Sequence, residues 1–333
     1  MRDPYPSQLS QNEVFTYRER ERTGTLLAPR IFSTGIAHIR ADRTVQTPEE
    51  ARDLVRPLSD YFAAEGFKEY SNDPWPVRRL IAAAARAEGL NTTIHGDHLR
   101  ASIDGFSGIE HNIAVPLYDD VLQLLARSAT THTQTFGTTA GASGYWLTSG
   151  REPWGNDRIR RFAPPSVRDF LTTIWLEATV AAYAHPESNY LYPLLRNAAA
   201  LAARNGRVGM GSHGDIPAIG FHQEMWLHAL GGMPNHEILR SATIVGANAI
   251  GHARDFGSLE PGKLADLQIL DANPLQDIHN TTSIRYVMKN GRLYDASDLT
   301  EIWPRHKPLS PIYLYDEPSL TSRATAVMRP PSK

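Results

Sequence analysis

The sequence predicts an α/β fold built on a parallel sheet, followed by a small antiparallel β unit. Three observations carry that expectation. Short apolar or β-branched runs alternate with longer helical patterns through most of the 333 residues, as repeated βα units do. Polar residues recur at the C-terminal ends of those runs. Beyond Gly251 the spacing changes to closely set strands, two of them joined by Asn290-Gly291, a strong hairpin signal. The alternation alone admits either a closed barrel or an open, doubly wound sheet.

Taken in order, residues 30–35 read as a strand ending in Gly35, and 48–64 as an amphipathic helix with acidic residues in its first turn. Pro57 should break or kink that helix, because it lacks an N–H and clashes with the preceding turn. Strand 67–71, the Ala-rich helix 77–88 closed by Gly89, strand 92–96, strand 107–112, helix 117–128 and strand 131–137 follow. Residues 138–165 are rich in Gly, Pro and Trp without periodicity, and so long an irregular segment reads as a functional loop. Helices are expected at 167–184 and 190–205, a strand at 208–213, and one helix over 236–250. Strands at 265–271, 284–289 and 292–294 complete the pattern. The expected division is a βα part to residue 256, an antiparallel unit over 257–296, and a Pro-rich tail over 297–333 that wraps the surface or is mobile.

Composition removes several function classes. With 41% apolar and 21% charged residues, a chain of this length buries a sizeable core without staples. A net charge of -2 argues against a surface that tracks nucleic-acid phosphates. The absence of cysteine excludes disulfide scaffolds, Cys-type zinc sites and Cys nucleophiles. No apolar stretch is long enough to span a membrane. The polar start, Met1-Arg2-Asp3-Pro4, does not read as a signal peptide, and the compartment stays open: cytoplasmic is the expectation for the chain as it stands, periplasmic if the true start lies upstream.

Strand ends hold the candidates for chemistry: Lys68, then His95 with Asp97 and His98, Glu110 with His111, and His213 with Asp215. In a βα barrel such ends converge on the face where active sites are built. Imidazole and carboxylate together suit zinc, manganese or iron. Structural roles compete for each residue. His95 and His98 could cap the next helix, Lys68 could pair with Glu69, and Glu110 could merely orient His111. His222 and His228, around Trp226, read as packing residues on a loop and helix start, and His185 as a turn residue. Phosphate-binding loops, GxSxG elbows and HExxH helices are missing.

Gly257-Ser258-Leu259-Glu260-Pro261-Gly262-Lys263-Leu264-Ala265-Asp266-Leu267, continued by Asp271-Ala272-Asn273-Pro274-Leu275 and 284–292, resembles the C-terminal signature of the amidohydrolase superfamily. Ser107-Gly108-Ile109-Glu110-His111 resembles its sixth-strand metal motif and Thr93-Ile94-His95 its fifth. Lys68 matches the position of a carboxylated, metal-bridging lysine on the fourth strand. The closest similarity is to the imidazolonepropionase- and prolidase-like branch, and within it to bacterial proteins that join such a domain to an N-terminal TolB-like propeller. The resemblance implies a (β/α)8 TIM-type barrel with a small β-sandwich. It further implies hydrolysis of amide or other C–N bonds in small molecules or short peptides by a water activated on one or two divalent ions, zinc first among them. Lys68, His95 and His111 are then metal ligands, and Asp215 and His213 the catalytic pair. His98, Glu110, Tyr145 and Trp146 stand as substrate or second-layer residues, the aromatics lying in the 138–165 loop that should cover the barrel mouth.

Two departures qualify the resemblance. The first-strand His-x-His pair of the superfamily has no counterpart, since no two histidines here are separated by one residue. The first strand and the leading half of the β-sandwich are therefore expected to be missing, and the chain to be a poor hydrolase, oligomeric, or completed by an N-terminal propeller segment. The eighth-strand Gly-Thr-Asp appears as Gly211-Ser212-His213, which leaves Asp215 as a partial substitute or an unrelated loop residue. The alternative reading is a degenerate, non-catalytic barrel used for binding; a nucleic-acid or carbohydrate binder rests only on Tyr145, Trp146 and Trp154.

Overall fold

The chain begins with a short parallel pair, β1 (Arg2–Asp3) against β2 (Phe32–Ser33), separated by helix α1 (Gln11–Arg22). Helix α2 (Pro48–Asp60) then leads into a five-stranded sheet. Its strands are β3 (Gly66–Glu69), β4 (Asn91–His95), β5 (Gly108–Glu110), β6 (Thr131–Gln134) and β7 (Arg207–Met210), lying side by side in chain order. The pairings from β3 to β6 are parallel. Helices α3 (Trp75–Ala87), α4 (His98–Ile103) and α5 (Asp119–Arg127) make the crossovers, so the expected βα alternation is present. The computed structural model describes residues 2–3, 11–35, 45–70, 73–113, 115–138, 157–165, 169, 191–213 and 219–310. The chain divides into two compact units, Met1–Gln134 with Leu201–Gly209 and Thr243–Gly257, and Thr135–Ala200 with Met210–Ala242 and Ser258–Lys333.

In the first unit α2 starts on a capping box: the Thr47 hydroxyl accepts from the Glu50 N–H at 3.2 Å, and the Glu50 carboxylate accepts from the Thr47 N–H at 3.1 Å. The helix runs through Pro57 rather than breaking there. Pro57 sits in the last turn, where one missing N–H costs little further helix. Ala51, Val55 and Leu58 pack on Phe67, Ile81, Ala84 and Ala85 to form one core cluster. Ala82, Ile94, Ala101, Phe106 and Ile109 form another, between the strands and their helices.

Gly257 shows why the start of the C-terminal signature needs glycine. Its φ is +102°, and an added Cβ would come 2.7 Å from the Ala247 Cβ and 3.0 Å from the Ile244 Cα. Gly257→Ala should therefore lose about 2–4 kcal/mol, combining a forbidden backbone region with overpacking. Urea unfolding checks this, and an unchanged midpoint would show that the turn relaxes freely.

In the second unit α6 (Asp157–Phe162), α7 (Leu191–Ala202), α8 (Ile219–Leu230) and α9 (Asn235–Arg240) precede an antiparallel sheet. Helix α8 escaped the sequence because it is buried nearly all round, from Gln223 through His228, and so shows no apolar stripe. The single helix expected over 236–250 is three pieces: α9, a π-helical turn Ser241–Val245, and α10 (Gly246–Ala249). Strands β8 (Leu267–Leu270), β9 (Ile284–Lys289), β10 (Arg292–Asp295) and β11 (Glu301–Trp303) pair in that order, β11 being unforeseen. The Asn290-Gly291 turn has φ of 51° and 73°, the two positive values that a two-residue hairpin loop requires. Apart from residue 169, the expected helix 167–184 lies outside the described residues, as do residues 139–156 of the expected loop and the tail beyond residue 310. Among the described residues no helix is long and apolar enough to cross a membrane.

Candidate active site

Side chains alternate across a strand, so the register decides which can meet. Lys68 is paired with Thr93, Thr93 with Gly108, His95 with Glu110, and Glu110 with Thr133. Lys68, Thr93, His95, Gly108, Glu110 and Thr133 therefore share one face of the sheet. The opposite face carries Glu69, Ile94, Ile109 and His132, and Ile94 and Ile109 pack there with Ala82, Ala101 and Phe106. Lys68 and Glu110 are both buried on the first face, each 4% exposed.

His111 follows β5 with φ of 74°, a left-handed conformation that costs a non-glycine residue about 1–2 kcal/mol. Its ring lies 4.5 Å from that of His95, edge-on at 69°. Tyr70, just past β3, packs on His95 at 4.5 Å between ring centroids, and the Lys68 ammonium sits 5.7 Å from the Tyr70 ring. The three expected metal residues thus lie in one contiguous group, with Tyr70 between the lysine and the imidazoles. Among the described residues no three His, Cys, Asp or Glu side chains gather as a metal-holding set. Two neighbouring imidazoles with a buried carboxylate on the same face nevertheless offer donors that suit a divalent cation, whereas the Lys68 amine could join them only as a carbamate. Neutral ring nitrogens are such a cation's commonest protein donors, and an adjacent carboxylate is the usual means of orienting them.

His98 belongs to a different arrangement. Asp97 caps α4 in a left-handed conformation, φ 36°, its carboxylate accepting from the Arg100 N–H at 3.2 Å. His98 thereby enters the helix, and its Nδ1 lies 3.1 Å from Nδ1 of His132, with the rings stacked at 5.4 Å. One nitrogen must donate and the other accept, so the two rings hold opposite tautomers. Burial pushes the His98 pKa down to about 4 and that of His132 to about 3, where the neighbouring His98 lowers it further. His132 was not singled out from the sequence; its only signal was a histidine in the Thr131-His132-Thr133-Gln134 strand.

The second unit holds the remaining candidates that are described. His213 stands beyond β7 with φ of 57°. Asp215, Tyr145, Trp146, Trp154 and His185 lie outside the described residues. Both His222 and His228 sit within α8 rather than on a loop. Nδ1 of His222 is 3.0 Å from the Thr281 hydroxyl, and the His228 ring lies edge-on to Phe136 at 4.9 Å. Burial lowers both pKa values to about 4. Glu224, also unforeseen, is fully buried and accepts from the backbone N–H groups of Phe136 at 2.8 Å and Gly137 at 2.9 Å. Burial pushes its pKa up to about 8, against the pull of those two donors.

Comparison with known proteins places the chain in a family. Over 64 residues the chain is 42% identical to an imidazolonepropionase from Shouchella clausii, a stretch covering 18% of this chain and 14% of that protein. A crystal structure of a Xaa-Pro dipeptidase with methionine in its active site superposes with a TM-score of 0.60 at 20% identity, covering 89% of this chain and 74% of that one. Molinate hydrolase superposes with a TM-score of 0.65 at 17% identity, covering 95% and 74%. These two likenesses establish a common fold. Residues 42–294, most of the sequence, match the profile of the Amidohydrolase family, and the chain belongs to that family.

Proposed function

We propose that the protein is a metal-dependent hydrolase that cleaves amide or other C–N bonds in small molecules or short peptides. The observation that carries this reading is the edge-on His95–His111 pair at 4.5 Å, on the strand ends that also bear buried Lys68 and Glu110. His95 and His111, with Lys68 once it is carboxylated as the resemblance implies, would hold a divalent ion, with zinc the first choice for imidazole donors. When bound, such an ion supplies Lewis acidity toward the scissile carbonyl and a more acidic water. The chain supplies the rest. His95 and His111 offer neutral nitrogens, and Glu110, on their face, is placed to orient them. Asp215 takes the proton from the attacking water and returns it to the leaving nitrogen, with His213 as its partner or substitute. Tyr145 and Trp146 are candidates in this reading for residues that touch the substrate or support those that do.

A second reading has one observation in its favour. His213 stands where the resembled eighth-strand motif has Asp, and a neutral imidazole is a weaker partner than carboxylate for a water near a cation. The chain would then bind without turnover. Two measurements on the full chain separate the readings: bound metal per chain by elemental analysis, and hydrolysis of a panel of Xaa-Pro dipeptides and N-acyl amino acids with and without chelator. Chelator-sensitive turnover supports the hydrolase. Stoichiometric metal without turnover supports the binding barrel, and neither metal nor turnover sinks the metal site itself.

A further inference from the structure

Glu224 takes no part in the proposed chemistry, yet it is a carboxyl at zero exposure among Met225, Trp226 and Leu227. Burying such a group is costly unless its hydrogen bonds are made, and here each oxygen has one. Oε1 accepts from Phe136 N–H at 2.8 Å and Oε2 from Gly137 N–H at 2.9 Å. Consecutive N–H groups point opposite ways along a strand but the same way in a helical turn. One carboxyl can therefore hold both only where β6 has ended and the turn over 136–138 has begun. The same corner adjoins the strand end that carries His213: a Cβ placed on Gly137 would be 3.7 Å from Glu224 Oε2 and 3.8 Å from the Ser212 carbonyl oxygen. An apolar side chain would fill this space without the burial cost but could not fix the peptide.

We infer that Glu224 is a positioning residue for the candidate residue His213, a two-oxygen clamp that fixes the Phe136–Gly137 turn and, through it, the backbone at Ser212 and His213. The inference rests on the proposed hydrolase only for its kinetic consequence. His228, one turn further along α8, supports the arrangement from the same side. Its Nδ1 lies 2.8 Å from the Glu224 carbonyl oxygen, and its ring closes on Phe136 at 4.9 Å. Among the described residues the buried His228 Nε2 has no hydrogen-bond partner.

Glu224→Gln is the discriminating variant. A carboxyl accepts at both oxygens, whereas an amide presents an NH2 to one of the two donors and must lose that bond. Hydrogen exchange at Phe136 and Gly137, and at residues 211–213, should accelerate by about tenfold or more, with other helices unchanged. In the active enzyme kcat should fall by roughly tenfold or more while KM and bound metal hold, as displacement of a reacting group by a fraction of an ångström produces. Unchanged exchange at both segments overturns the inference. Local acceleration with unchanged kcat overturns it too, since Glu224 would then be merely structural. If the wild type hydrolyses nothing on the panel, the hydrolase reading fails separately, and exchange at 211–213 alone decides the clamp. Should the glutamine chain not fold, Glu224→Asp gives the second test: two acceptors on a shorter arm should produce the same two-segment acceleration, and its absence overturns the clamp.

Discussion

Replacing His111 by alanine is expected to abolish bound metal and turnover together, whereas replacing His98 by alanine should leave both largely in place. The two residues look equivalent in the sequence, each a histidine near a strand end. They differ in what they meet. His111 closes edge-on against His95 at 4.5 Å, on the face that holds Lys68 and Glu110. His98 spends its Nδ1 on His132, which alternates with the opposite, helix-packed face. Losing a ligand, as the proposed site makes His111, should cost more than the roughly 10–100-fold that removing an outer partner of a metal ligand costs. His95→Ala should behave as His111→Ala does. Glu110→Gln, which removes the orienting charge and keeps the shape, should fall within that 10–100-fold range. Metal content by elemental analysis and chelator-sensitive hydrolysis on the dipeptide panel provide the readouts. Retention of metal and rate in His111→Ala would take the imidazole pair out of the metal site, and loss of both in His98→Ala would move the site to the other face.

The βα alternation was legible because the strands are short apolar or β-branched runs, and because Gly89 and Asn290-Gly291 punctuate the chain as local chemistry dictates. Lys68, His95 and His111 were legible for the same reason: a polar residue at a strand end stands out against an apolar run. Alternation itself was harder to use. His132 lies inside a strand, and only the register with Ile109 shows that it faces the helices. Glu224 was invisible because its partners are backbone N–H groups 88 and 87 residues away, and no local pattern encodes such a pairing. The break in the 236–250 helix is of the same kind, since Ser241–Val245 carries no Pro or Gly to announce a π turn. Pro57 misled in the opposite direction: its cost depends on its distance from the helix end, which the sequence left open.

The His98–His132 pair should make the fold acid-sensitive well above the carboxylate range. Both rings are neutral in the folded protein, with burial as the first cause of pKa values near 4 and 3, against about 6.5 in an unfolded chain. The unfolded chain therefore binds two protons below pH 6.5 that the folded chain refuses. The stabilisation is complete above pH 6.5 and is lost progressively as pH falls toward 4, with a limiting slope of about 1.4 kcal/mol per pH unit for each ring. Near pH 5.5 the pair should have given up about 3 kcal/mol by that arithmetic. His222 and His228, also held near 4 by burial, add to the loss with the same sign. Glu224 opposes it: a carboxyl raised to about 8 favours the folded state increasingly as pH falls from 8 toward 4.5. Denaturant midpoints of the wild type and His132→Leu between pH 7.5 and 5 isolate the pair. At pH 7 the variant should be less stable by about 1 kcal/mol, because the buried His98 Nδ1 loses its His132 partner. Below pH 6 its stability should fall less steeply, by about one proton's worth of slope. Parallel curves for the two proteins would mean that His132 already exchanges protons with solvent in the folded state, and the buried, neutral pair would have to be given up.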